Sequence, residues 1–250
     1  MKIVFFGVGA VCSVMATLLD ELSNKSKQKD INFIFVVRNI KKAQAHFFKN
    51  SNVLNKSDFL EIKHFEEIFE DSKKYENYLR NSDIFINSST PSFNLPIMNL
   101  ALKYNTNYAD LASDIYKDEI ISTLKFDQQI LENEFKSQNL FALINLGISP
   151  GITNFLIGEK IHSLKNLPYE VKIKKLEINL LEEIQSKKLI FSWSPKVAID
   201  ELAFPPVFYK KNRPKTIEPF SKSKVYKFPY FRNFVDIYPV FQEELISLKQ

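Results

Sequence analysis

The chain has 250 residues, 45% of them hydrophobic and 25% charged, with 34 basic against 29 acidic side chains. That is material for a sizeable core in one large or two smaller domains, and no apolar run approaches the roughly 18 residues of a membrane-spanning helix. The single cysteine excludes an internal disulfide framework and predicts a cytoplasmic protein. The net charge of +5 is carried mostly by lysines interleaved with acids; with no recognition motif, it argues against nucleic acid as a partner.

Lys2–Phe6 is a short apolar run, followed by GVGAVC and an apolar-periodic stretch to Leu22, which reads as strand, turn and helix. The opening run could also belong to a signal peptide, but the polar and acidic residues of VCSVMATLLDEL fit a helix better than a cleavage region. Ile31–Val37 (INFIFVV) predicts a strand buried on both faces. Lys41–Lys49 predicts a helix with Ala43, Phe47 and Phe48 inward, Phe59–His64 a strand, and Glu66–Arg80 a charged amphipathic helix. Asp83–Asn87 (DIFIN) is a third buried strand, ending in SSTPS. Asn94–Tyr104 follows as a helix with Pro96 allowed in its first turn. Asn107–Leu111 predicts a strand, Lys117–Lys136 a long helix, and Leu140–Asn145 another strand. This alternation predicts an α/β fold, a doubly wound parallel sheet with helices on both faces, over residues 1–150.

Beyond that boundary the pattern changes. Ile152–Ile161 reads as a helix, and Val171–Leu181 alternates with period two, predicting a sheet open to water on one side. FSWSP leads into a helix at Lys196–Leu202, and Phe204–Gln250, with six of the eleven prolines, reads as strands and long loops. Residues 151–250 are therefore expected to form a smaller α+β domain.

Three features carry chemistry. In GVGAVC, Gly7 and Gly9 would let the backbone turn sharply beside a pyrophosphate, with Ala10 and Val11 opening the helix whose N-terminus stabilises it; the third glycine of the usual fingerprint is replaced by Cys12. A tight turn with no ligand is the alternative. A carboxylate at the end of the second strand would select NAD, but Val37, Arg38 and Asn39 stand there, with Lys41 and Lys42 beyond. A guanidinium suits a 2′-phosphate, so NADP(H) is expected, unless Arg38 is only a surface charge. Ser88, Ser89 and Thr90 close the third strand, where ligands of parallel sheets bind. The histidines His46, His64 and His162 are isolated and show no metal spacing. Cys12, at a helix start, reads as packing rather than as a thiolate nucleophile.

Together these segments resemble the saccharopine dehydrogenase family. MKIVFFGVGAV is similar to its nucleotide loop, and VVRNIKKAQA to its second strand and helix, where an acidic residue often stands in the place of Val37. DIFINSSTPSFNLPIMNLALKYNTNYADLA resembles the family's run from strand through proline loop to an aspartate strand. LINLGISPGITN resembles its Gly-x-x-Pro-Gly-x-x-Asn turn, and FSWSP, DELAFPPVFYKK and YPVFQEELISL resemble parts of its second domain. The turn is the most specific element, in a chain with only five glycines.

The resemblance implies hydride transfer to or from a carbon–nitrogen bond of an amino-acid-derived or polyamine-like imine adduct, with NADPH as cofactor. A carboxynorspermidine or homospermidine synthase-like enzyme and a non-catalytic nucleotide-binding protein are the rival readings. It places Gly147, Pro150, Gly151 and Asn154 beside the substrate, although the same turn could serve folding alone. Asp110 is the candidate general acid/base, or a hydrogen-bonded turn residue; Ser113 and Asp114 could assist it. Trp193 would wall the pocket or fill the core. Relatives continue past the point where this sequence stops, so a C-terminally truncated second domain is expected, and with it a homodimer.

Overall fold

The computed structural model describes residues 1–26, 30–47, 52–113, 126–191, 194–211 and 213–248. They divide into two compact units, Met1–Gly147 and Ile148–Gln250.

In the first unit, six parallel strands form one sheet: β1 (Lys2–Phe6), β2 (Asn32–Val37), β3 (Ser57–Glu61), β4 (Ile84–Asn87), β5 (Asn107–Asp110) and β6 (Ala142–Leu143). Their order is β3-β2-β1-β4-β5-β6, the doubly wound arrangement in which chain direction reverses beside β1 and leaves a crevice there. Phe5 lies between Phe35 and Ile86 in register. Side chains alternate across the sheet, so β1 supplies Val4 and Phe6 to one core and Ile3 and Phe5 to the other.

On one face α1 (Ala10–Ser26) and α2 (Ile40–Gln44) contribute Cys12, Ala16 and Ala43. On the other, α3 (Glu66–Glu70), α4 (Glu76–Leu79), α5 (Asn94–Lys103) and α6 (Glu132–Ser137) contribute Ile68, Leu79, Ile97, Met98 and Phe135. Aromatic rings fill much of this space; Phe33 and Phe35 lie nearly parallel with centroids 6.1 Å apart.

Several boundaries differ from the sequence expectation for local reasons. The expected single helix Glu66–Arg80 is broken at Asp71, whose φ of −133° leaves the helical region, and resumes through a 3-10 turn, Ser72–Tyr75. Asp and Ser compete for backbone groups and favour such breaks. The break lets Ile68, Tyr75 and Leu79 all reach the core. The helix expected over 41–49 stops at Gln44; Phe48 and Lys49 lie outside the described residues. Of the long helix expected over 117–136, residues 117–125 lie outside the described residues, and the remainder is a 3-10 turn (Asp127–Leu131) followed by α6. β6 is only two residues long, as an edge strand bonded on one side can be.

The second unit contains α7 (Ile152–Lys165), α8 (Pro195–Ala203), the antiparallel pairs β7 (Val207–Lys210) with β8 (Arg213–Thr216) and β9 (Lys224–Tyr226) with β10 (Val235–Ile237), and α9 (Glu244–Ser247). The sheet expected over Val171–Leu181 is absent: residues 170–186 run without regular structure, with Ile173 53% and Leu180 52% exposed. Period-two patterning makes one apolar face, but a strand forms only where a neighbour takes up its N–H and C=O groups. Among the described residues no strand forms a β-ladder with the segment; Lys224 of β9 reaches it only through an ion pair with Glu177 at 3.2 Å.

Candidate functional site

β1 ends at the point where the backbone must turn into α1 without leaving the sheet. Gly7 donates its N–H to Val36 O at 2.9 Å and adopts φ +92°, a conformation open chiefly to glycine. From β4, Ser88 donates its N–H to Phe6 O at 3.0 Å and its hydroxyl to Gly7 O at 2.7 Å. A Cβ on Gly7 would lie 2.8 Å from Ser89 Cβ, whereas a Cβ on Gly9 would meet no protein atom within 4 Å. The first glycine is thus required by the fold, and the second leaves open space in front of α1.

That space belongs to a cavity of about 830 Å³ over the C-terminal ends of β1, β2, β3 and β4. Gly7, Gly9, Arg38, Asn39, Ser88, Ser89 and Thr90, all expected from sequence, line it together. Ala10 and Val11 open α1 but are not in the lining, and Val11 is 43% exposed. The side chain of Asn39 is engaged locally: its Oδ1 accepts from Lys42 N at 2.9 Å and caps α2.

Besides Lys42, which the sequence places just beyond Arg38, the lining holds residues that sequence reasoning left unconnected. Lys42 and His46 come from α2 and the turn after it, and Lys63 and His64 from the segment beyond β3. Glu66 is the only carboxylate among the described lining residues. A site with Arg38, Lys42 and Lys63 on one side and a glycine turn at a helix start on the other fits a dinucleotide carrying an extra phosphate. The sequence carried no signal for Lys63, which the strand expected over Phe59–His64 places within the strand and not past its end.

The shape of the Ser88–Thr90 segment is set by Asn87, 3% exposed, which sequence reasoning also missed. Its Oδ1 accepts from Ser89 N at 3.0 Å and Ser89 Oγ at 2.6 Å. Its Nδ2 donates to Thr90 O at 3.1 Å and to Asn94 Oδ1 at 2.6 Å. Cys12 is buried and burial pushes its thiol up to about 12, so it is no nucleophile at neutral pH. Among the described residues no cluster of three potential metal ligands occurs.

Asp110 ends β5 and is 1% exposed. Its Oδ1 accepts from Asn145 N at 2.7 Å and its Oδ2 from Gln128 Nε2 at 3.2 Å. Ser113 Oγ accepts from Gln128 Nε2 and donates to Asn145 Oδ1, both at 2.9 Å. Burial pushes the Asp110 carboxyl up from 3.8 to about 6, against the lowering effect of the Asn145, Gln128 and Tyr108 hydrogen bonds. Asp114 and Trp193 lie outside the described residues.

The turn after β6 crosses the division between the two units at Gly147. Within the second unit, Gly151 has φ +131° and donates its N–H to Asn154 Oδ1 at 3.0 Å. Asn154 Nδ2 donates to Ser247 Oγ at 2.7 Å. Ser149 Oγ and Thr153 Oγ1 both donate to Glu244 Oε1. Asn154 therefore caps the turn and fastens it to α9, while Pro150 is buried beside it.

The raised Asp110 carboxyl gives a testable pH dependence. Below 3.8 it is protonated folded and unfolded; between 3.8 and about 6 only the folded chain holds the proton, so stability falls as pH rises through this window. The difference corresponds to about 3 kcal/mol at most. Asp110→Asn is expected to remove that slope and to leave the chain at least as stable at pH 7.5. Thermal unfolding of both proteins from pH 4 to 7.5 tests this; parallel curves would mean that Asp110 ionises normally.

Among the described residues no helix is long and apolar enough to cross a membrane. No curated protein sequence matches the chain. Among solved structures, the saccharopine dehydrogenase (L-Glu forming) of Saccharomyces cerevisiae superposes with a TM-score of 0.60 at 16% identity, covering 96% of this chain and 49% of its own. The homospermidine synthase of Legionella pneumophila, solved in complex with NAD, gives 0.61 at 14% identity, covering 99% and 60%. At these identities the likeness shows the fold, and the chain spans only half to three fifths of the length of either protein. Residues 3–143, more than half of the chain, match the family described as saccharopine dehydrogenase NADP binding domain. The chain belongs to the saccharopine dehydrogenase family through this NADP-binding domain.

Proposed function

We propose that the chain is an NADP(H)-dependent oxidoreductase acting at a carbon–nitrogen bond, reducing an imine or oxidising the secondary amine of an amino-acid-derived substrate. The observation that carries the reading is the cavity at the Gly7 turn, walled by Arg38, Lys42 and Lys63, with Glu66 the only carboxylate among its described lining residues. The bound nucleotide would supply or accept the hydride. The chain's own residues would hold its phosphates and handle protons at the reacting nitrogen.

Asp110 is assigned the proton-handling role within this proposal. A carboxyl near 6 can change protonation close to neutral pH, and its hydrogen bonds would keep it in one orientation. Gly147, Pro150, Gly151, Asn154 and Trp193 are proposed to border the substrate. The homospermidine synthase likeness keeps a polyamine substrate as the second reading within the same class. Exposed Phe155 and Leu156 on α7 and the uncovered segment 170–186 support a homodimer.

Titration with NADPH and NADH, followed by nucleotide fluorescence, tests the cofactor assignment. NADPH is expected to bind at least tenfold more tightly. Arg38→Ala is expected to cost NADPH about 1.5–3 kcal/mol, the worth of a charge-assisted contact, and NADH far less. Equal losses for both nucleotides would remove Arg38 from the 2′-phosphate. An enzyme of this class would oxidise NADPH when given an amino acid and an aldehyde, and Asp110→Asn would then keep NADPH affinity while losing turnover.

A further inference from the structure

Residues 170–186 run without regular structure, yet the middle of the segment is patterned for one particular partner. Val171 and Ile173 stand at odd positions, and Leu176, Ile178 and Leu180 at even ones. The alternation therefore changes phase across Lys174 and Lys175 and keeps one phase over residues 174–182. Once extended, this stretch has Lys174, Leu176, Ile178, Leu180 and Glu182 on one face. The other face is polar apart from Leu181 and is tied down within the unit, because Glu177 pairs with Lys175 at 2.5 Å and with Lys224 of β9 at 3.2 Å. The first face is uncovered. Leu176 is 50% and Leu180 52% exposed, and among the described residues neither Lys174 nor Glu182 has an ion-pair partner.

That face reads Lys, Leu, Ile, Leu, Glu, so reversing its direction leaves the apolar positions in place and exchanges the charges. A strand needs partners for its N–H and C=O groups, and an unpaired one is a template for another chain. A second copy set antiparallel about a two-fold axis at Ile178 would put Lys174 opposite Glu182 of the second copy, Leu176 opposite its Leu180, and Ile178 opposite itself. The mixed pairs each occur twice, and on the other face no like charges stand directly opposite. Sliding the copies by one pairing step sets Leu176 against Glu182 or Leu180 against Lys174. A parallel arrangement sets lysine against lysine and glutamate against glutamate, which is destabilising.

We propose that residues 174–182 form an antiparallel strand pair with the same residues of a second copy of this chain, centred on Ile178. The inference rests on the homodimer reading above and names the segment, direction and register of the contact. Charge selects the antiparallel direction, and the three apolar side chains contributed by each copy fix the register.

Sedimentation velocity of the full chain across the micromolar range tests this, with circular dichroism confirming that each variant folds. The wild-type chain is expected to dimerise. Lys174→Glu and Glu182→Lys each place two like-charge pairs in the contact and should weaken dimerisation at least tenfold. The double variant exchanges the charges and should recover to within threefold of wild type. Ile178→Cys puts the cysteines of the two copies directly opposite, with Cβ atoms about 4.5–5.5 Å apart, so mild oxidation should yield a covalent dimer. The native Cys12 is buried and does not compete. Asn179→Cys faces Glu177 of the second copy in this register and should remain uncrosslinked. Single variants that dimerise like wild type, or a double variant no tighter than the singles, would overturn the strand pair while leaving a homodimer formed by another surface. A wild-type chain that stays monomeric would overturn the homodimer reading and this inference together, leaving the face to a partner of different sequence.

Discussion

Gly7→Ala is expected to abolish NADPH binding, with a loss of at least a hundredfold, and to destabilise the first unit by about 2–4 kcal/mol. Two costs add. The residue must hold φ +92°, which costs a non-glycine residue about 1–3 kcal/mol. Its new Cβ would lie 2.8 Å from Ser89 Cβ, so the segment after β4 must also move out of its hydrogen bonds to Phe6 and Gly7. Gly9→Ala separates fold from site, because a Cβ there meets no protein atom. That variant should unfold within about 1 kcal/mol of wild type yet bind NADPH at least tenfold more weakly, since the methyl would occupy the space in front of α1. Chemical unfolding and fluorescence titration of both variants decide the matter. Gly7→Ala binding NADPH within twofold of wild type would show that the turn is not a nucleotide cradle.

Much of this unit is legible in the sequence because parallel strands covered on both faces are almost continuously apolar. KIVFF, NFIFVV and IFIN stand out from their charged surroundings and mark three central strands. The edge strand SDFLE does not, because only Leu60 is buried in it, and its expected limits were accordingly displaced. Arg38 and the Gly7 turn follow from position alone, each being the residue that a central strand delivers to the sheet's C-terminal edge. Lys63, His46 and His64 were not legible as site residues: they reach the cavity through the path of α2 and of the β3–α3 connection, which no local pattern encodes.

The second unit was read less well for a related reason. Alternation over Val171–Leu181 reports that a segment has two faces, not that a neighbouring strand exists. Asn154 has a bond that local spacing supplies: an Asn three residues after a glycine at a helix start can accept from that glycine's N–H.

Asn87→Leu carries the other large expected effect, because this one amide shapes the loop that faces the Gly7 turn. An amide is required there: Oδ1 accepts twice from Ser89 while Nδ2 donates to Thr90 O and Asn94 Oδ1, a combination that no carboxylate or hydroxyl of similar size supplies. Leucine preserves the volume and removes all four bonds. Asn94 keeps its contacts with Tyr108 and Ala112, so the loss falls on residues 88–90. Stripping Ser89 N of its partner and Thr90 O of one of its two, Phe93 N being the other, at a position only 3% exposed is expected to cost about 2–3 kcal/mol. With Ser88–Thr90 no longer held in the cavity lining, NADPH affinity should fall by more than tenfold. Urea unfolding and NADPH titration of the same preparation separate the two effects. If stability falls as expected while NADPH binds as in wild type, the β4 loop is a structural support only, and the nucleotide is held from the β1, β2 and β3 sides of the cavity.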